Sequence, residues 1–169
     1  MQTKIITVND KMQTNYIYEC TETMGKNFDE RFHPDLSPAQ MLEAGVFWGK
    51  YMTDCQNEFP ADRFTNAKLS PLKKNPKLNF FGVNASMSLR DWKKKWRIYA
   101  DDPRGRFQWY CRYYMGRRIP DEDNRQIKRR WNMRRHTMAI MKNCHPMDWD
   151  CRKRQRQAVL HWGYDSRKM

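Results

Sequence analysis

The stretch Phe107-Gln-Trp-Tyr-Cys-Arg-Tyr-Tyr-Met-Gly-Arg-Arg118 decides how the rest of the chain is read. It crowds aromatic rings around one arginine and closes on a glycine and an arginine pair. The spacing predicts a helix over 103–115. Asp102 can cap it, Pro103 takes the first helical position, where a missing N–H is harmless, and Gly116 suits a left-handed end. Phe107, Tyr110, Cys111 and Tyr114 fall at i, i+3, i+4 and i+7, on one face. Trp109, Arg112 and Tyr113 fall on other sides. Two readings follow. The favoured one is a central core helix, because large aromatics prefer the interior. The other is an exposed ledge of Trp109 and Tyr113 beside Arg112, Arg117 and Arg118, suited to stacked bases and phosphates.

Outward from this block, the chain of 169 residues is long enough for one domain with a real core. Its mean hydropathy of −1.07 is low. With aromatics at 14%, however, it is no disordered chain. Toward the C-terminus, Pro120 and the acids Asp121, Glu122 and Asp123 open a predicted helix over 120–143 with a thin seam of Ile127, Trp131, Met138 and Met141. A final helix is expected over 148–164, capped by Asp148, with Cys151, Gln155, Ala158, Val159 and Trp162 inward. Toward the N-terminus, Ser88 opens a further predicted helix carrying Trp92, Trp96 and Lys93 to Lys95. Residues 69–81 read as a loop whose Lys73, Lys74 and Lys77 could meet phosphate. Residues 60–67 suggest a short helix, and 46–51 a buried connector. Ser37-Pro-Ala-Gln40 is a capping box with proline at the first position, Leu36 and Met41 form a staple, and Gly45 ends that helix. Lys4 to Val8 and Asn15 to Tyr18 read as a hairpin turning at Asn9-Asp10, which must dock on the body or move. The expected fold is therefore mainly α: one irregular basic helical domain over 28–169, with 1–27 as an appendage carrying the hairpin.

Charge is the strongest functional signal. The net charge is +14. Residues 1–89 carry 10 basic and 10 acidic side chains, whereas residues 90–169 carry 23 and 9, so the whole excess lies in the second half. Folding gains nothing from such self-repulsion, which points to an anionic partner, nucleic acid first and acidic membrane second. Arginine suits bidentate phosphate contacts and stacking on bases. The candidate phosphate contacts are Arg117, Arg118, Arg125, Arg129, Arg130, Arg134, Arg135, Arg152, Arg154 and Arg156, with Trp109 and Tyr113 as stacking residues and Trp131 as a further aromatic interleaved with the arginines. Cations at the start of the last helix oppose its dipole, so helix stability does not explain Arg152 to Arg156. No zinc-finger spacing and no helix-turn-helix is present, so weak sequence preference is expected, and the choice of DNA or RNA stays open.

Catalytic signals are thin. No P-loop or GxGxxG occurs, and no cofactor is implied. His33, His136, His145 and His161 have no nucleophile near them in sequence. An enzyme acting on nucleic acid or nucleotides remains the alternative, and would need a pocket where arginines converge with a carboxylate or histidine. A packaging or scaffold protein is the second alternative. Cys144, His145 and Cys151 are weak metal candidates lacking a full ligand set; a Cys144–Cys151 bridge is equally open, and two free buried thiols are the default. Five scattered cysteines fit a reducing intracellular compartment. No run reaches the ~20 apolar residues of a membrane span, and the N-terminus lacks the apolar core of a signal peptide.

Gly45-Val-Phe-x-Gly-Lys-Tyr51, Phe81-Gly-Val83, Asp102-Pro-Arg-Gly105, the 107–118 block, Asp123-x-Arg-Gln-Ile127 and Arg154-Gln-Arg-Gln-Ala158 resemble a family of small basic proteins of no known activity from viruses, microbes, fungi and plants. The resemblance covers about 28–169 and implies a shared helical domain and a viral or phage-like setting. It implies no activity. The chain departs from the family pattern at Arg104-Gly-Arg106, where a tryptophan-glycine is expected, and at Arg63, where an aromatic is expected.

Overall fold

The computed structural model describes residues 2–86 and 100–169. The helix expected from Ser88, with Trp92, Trp96 and Lys93 to Lys95, lies outside the described residues. In chain order the main elements are strands β1 (Lys4–Val8) and β2 (Tyr16–Cys20) and helices α1 (Pro38–Ala44), α2 (Arg106–Met115), α3 (Pro120–Asn132), α4 (Arg134–Asn143) and α5 (Lys153–Leu160). Short 3-10 turns at Phe47–Gly49, Gln56–Glu58, Ala61–Phe64 and Pro76–Leu78 fill the connection after α1. The fold is mainly helical with one short antiparallel hairpin.

The aromatic block is the central core helix. Eight of the ten residues of α2 are buried, Trp109 and Tyr113 among them, so the exposed aromatic ledge does not form. Phe32 meets Trp109, Tyr110 and Tyr113 edge-on at centroid distances of 5.3–5.4 Å. Each polar tip is satisfied, as a buried Trp or Tyr requires. Trp109 Nε1 donates to Asp123 Oδ1 at 2.8 Å, Tyr110 Oη donates to Leu36 O at 2.7 Å, and Tyr113 Oη accepts from Asp29 N at 2.8 Å.

The start of α2 corrects the expected cap. The helix begins at Arg106 behind Gly105, and Asp102 does not cap it. The Asp102 carboxylate is buried between two guanidiniums instead, accepting from Arg112 Nη1 at 3.2 Å and Arg117 Nη2 at 2.6 Å. Two buried cations need a carboxylate more than a helix end does, since helix N–H groups can face water. The left-handed end at Gly116 forms as expected, with φ 114°. A side chain would not fit there, because an added Cβ would lie 2.1 Å from Glu22 O.

That close approach is the hairpin docking. Val8 pairs with Tyr16 and Lys4 with Cys20 across β1 and β2, while the turn occupies residues 9–15, longer than expected. Asp10 accepts from the N–H groups of Met12 and Gln13 to hold it. Val8, Tyr18 and Cys20 then enter the same core as α2. Thr21 N donates to Gly116 O and Gly25 N to Tyr114 O, at 2.9 and 2.8 Å. The α1 capping box forms with both its hydrogen bonds, and Gly45 ends that helix at φ 111°.

The long helix expected over 120–143 is two helices that meet at Met133. No Gly or Pro marks the break. Arg130 O instead accepts from Tyr164 Oη and from Met133 N, at 2.9 and 3.0 Å, so a side chain enters the hydrogen-bond ladder there. Of the expected seam only Ile127 is buried, and Trp131, Met138 and Met141 are exposed. Ile140, Val159 and Tyr164 form a small second core between α4 and α5.

Helix α5 starts at Lys153, not Asp148, because Cys144 and Cys151 form a disulfide and Arg152 adopts left-handed backbone at φ 54°. The bridge corrects the expectation of two free thiols, and it removes Cys144 and Cys151 as metal ligands. It also fits a reducing compartment poorly. Cys20, Cys55 and Cys111 are free and buried. Among the described residues no helix is long and apolar enough to cross a membrane, and no group of three His, Cys, Asp or Glu could hold a metal.

Candidate functional site

Burial divides the twelve candidate residues. Trp109 and Tyr113 lie in the core. Arg117, Arg130 and Arg156 are buried as well, and each is spent on protein groups. Arg117 pairs with Asp102 and donates to Tyr16 Oη. Arg130 stacks over Tyr164 at 3.8 Å and donates to Trp162 O and His33 O. Arg156 donates to Cys151 O, Ser166 O and Met169 O at 2.6–2.8 Å. Burial pushes the pKa of Arg130 and Arg156 down. Arg156 thus ties the C-terminal tail to the disulfide loop, which accounts for one cation at the start of α5. Arg118, half-buried over the Tyr113 ring, donates to four carbonyls: Tyr113, Arg117, Lys26 and Asn27. Arg125 is held by Glu122 at 2.6 Å. These arginines cross-link loops, because a guanidinium carries five donors in a fixed fork.

A different set faces solvent. Arg134, Arg135, Arg152 and Arg154 are exposed, and among the described residues none pairs with a carboxylate. The Arg134 guanidinium lies 3.3 Å over the ring of Trp131, which is 44% exposed. Two elements bring the pairs together. His136 Nδ1 on α4 lies 3.0 Å from Gln155 Nε2 on α5, and Gln155 Oε1 accepts from Arg152 at 3.1 Å. Lys128, also exposed, extends this face along α3. The exposed aromatic beside arginine is therefore Trp131 with Arg134. Their i, i+3 spacing is visible in the sequence, where Trp131 counts both among the aromatics interleaved with arginine and in the apolar seam; its exposure rules out the seam.

The arrangement missed from sequence is a cavity of about 340 Å³ between the start of α2, the end of α3 and the end of α5. Arg104, Arg106 and Arg129 line it with Ser86 and His161, and Phe47, Trp48, Tyr51 and Trp162 add aromatic wall. Among the described residues no carboxylate lines it. His161 is buried, with Nδ1 2.6 Å from Ser86 Oγ and Nε2 2.8 Å from Gln157 Nε2. Backbone partners fix the Gln157 amide. Its Oε1 accepts from Phe81 N at 2.9 Å, and its Nε2 donates to Gly45 O at 3.0 Å. The amide therefore also donates to His161 Nε2, which must accept, so the His161 proton sits on Nδ1 and goes to Ser86 Oγ. Ser86 accepts from the imidazole and keeps its own O–H to donate. Burial, and then the Arg106 charge, push the His161 pKa down to about 3, so the ring is neutral. This is a serine held as a donor, not one activated as a nucleophile. Nothing in the sequence joins residues 86 and 161, which the fold alone brings together.

No protein-family model, curated protein or solved structure matches the chain.

Proposed function

We propose that the protein binds nucleic acid through backbone phosphates on the face built by the end of α3, the start of α4 and the start of α5. The observation that supports this is the group of exposed arginines that pair with no carboxylate among the described residues: Arg134, Arg135, Arg152 and Arg154. The stability of the fold does not account for them, whereas Arg117, Arg130 and Arg156 have internal partners. Trp131 beneath Arg134 offers a ring for base stacking. Contacts of this kind follow the charged backbone and give weak sequence preference.

The test is binding of labelled single- and double-stranded DNA and RNA over a salt series. Log affinity should fall steeply and linearly with log salt. Reversal variants R134E/R135E and R152E/R154E should weaken binding to every sequence alike, each lost phosphate contact lowering the salt slope by about 1. Reversal at the buried Arg130 or Arg156 would damage the fold and is uninformative about binding. No binding at low salt, or reversal variants that bind as the parent does, would overturn the reading.

A further inference from the structure

The cavity at the start of α2 gathers hydrogen-bond donors, some of which meet no acceptor among the described residues. Arg106 stacks on Trp162 at 3.4 Å, and its Nη1 donates to His161 O at 2.5 Å. No other hydrogen bond from its guanidinium is formed among the described residues. Burial and the nearby Arg129 charge push its pKa down. Arg104, 6% exposed, lines the same cavity; its charge is met by Asp54 at Nη1 (2.7 Å) and by Asp10 at Nη2 (3.6 Å), while Nε has no hydrogen-bond partner among the described residues. The N-terminus of α2 opens here too, with no side-chain cap on its first N–H groups. Ser86 adds an O–H that the His161 tautomer leaves free to donate.

A wall of donors with no carboxylate among the described lining residues suits an acceptor-rich anion. The rest of the wall is aromatic: Phe47 and Tyr51 lie 4.9 Å apart, with Trp48 and Trp162 also lining the space. The volume falls in the range of small-ligand sites. Phosphate and a planar ring on one ligand match both halves.

We propose that this cavity binds a nucleoside monophosphate, the phosphate meeting Arg106, Ser86 and the start of α2 while the base lies against the aromatic wall. The ligand could be a free nucleotide or the phosphorylated end of a strand. The proposal does not rest on the exposed arginine face, since the two use different residues.

Calorimetric titration of the full chain tests it, with the four common nucleoside monophosphates, their nucleosides and inorganic phosphate as probes. At least one monophosphate should bind about tenfold tighter than both its nucleoside and inorganic phosphate. S86A and R106Q should each weaken it by about tenfold. S86A removes one oxygen and carries the test if R106Q does not fold. Oligonucleotides with and without a terminal phosphate separate the two sources: preference for the phosphorylated end assigns the strand, and equal binding of the two assigns the free nucleotide. R134E/R135E should leave mononucleotide binding intact. The proposal is overturned if nucleosides or inorganic phosphate bind as tightly as the nucleotides, if S86A binds as the parent does, or if no monophosphate binds.

Discussion

Arg112 and Glu58 form a two-point ion pair at the centre of the molecule, Nε to Oε1 at 2.6 Å and Nη2 to Oε2 at 3.1 Å, with the two side chains 0% and 6% exposed. Arg112 also donates to Asp101 O, Asp102 and Gln13 Oε1. Every donor of the guanidinium is used, which is what makes burying it tolerable. Removing one partner leaves an unpaired charge in the core. E58Q and R112M should each lose about 3–5 kcal/mol in urea unfolding. The double variant should lose less than the sum of the two singles, because the second change removes the charge the first left unpaired. Strict additivity would mean that the pair does not act as a unit.

Gly116 and Gly82 separate backbone strain from steric conflict. Both adopt positive φ, 114° and 69°. An added Cβ at Gly116 meets Glu22 O at 2.1 Å, whereas at Gly82 nothing lies within 4 Å. G82A should cost about 1 kcal/mol, the strain of a left-handed alanine. G116A must also push the hairpin connection off α2, so its cost should clearly exceed that of G82A in the same denaturation experiment. Equal costs would show that the contact relaxes freely.

The disulfide closes a short loop, Cys144 and Cys151 being 7 apart in sequence. A loop this size restricts the unfolded chain by about 2 kcal/mol. C144S/C151S should lower stability by about that amount and free the 144–152 segment, which Trp149 otherwise pins to Arg167 O. Thiol titration gives an independent check. The oxidised protein should show three thiols on unfolding, from Cys20, Cys55 and Cys111, and five after reduction. Five thiols without reductant would mean that the bridge is not formed.

What the sequence disclosed was local. The α1 capping box, the ends at Gly45 and Gly116, and the aromatic face of α2 are set by residues within one or two turns of each other, so pattern reading finds them. What it misplaced depends on distant partners. Asp102 and Pro103 carry a sound helix-start signal, but Arg112 and Arg117 claim the carboxylate. The ladder from α3 into α4 is interrupted by Tyr164, more than thirty residues downstream. Arginine was the most misleading residue type. Composition records positive charge but not whether a guanidinium faces solvent, like Arg134, or binds backbone carbonyls in the interior, like Arg156. Ser86 and His161 gave no signal, because their relationship is made by the fold.

His161 should also give the protein a distinct acid sensitivity. Its folded pKa is about 3, well below the ordinary histidine value, because burial and then Arg106 disfavour the imidazolium. Unfolded, the ring titrates near 6.5. Between these values the unfolded chain binds a proton that the folded chain refuses, so stability is full above about 6.5 and declines as pH falls toward 3. The slope from this one group is at most about 1.4 kcal/mol per pH unit. Carboxylates add their own losses at the acid end of the range, so the comparison must be with a variant. H161Q removes the titrating ring and is expected to be less stable at pH 7, where the His161 hydrogen bonds are intact. Its stability should fall less steeply between pH 6 and 4, so the gap to the parent narrows as pH drops. Urea unfolding of both proteins at half-unit steps measures this directly, and parallel curves would place the His161 proton affinity at its ordinary value in the folded state.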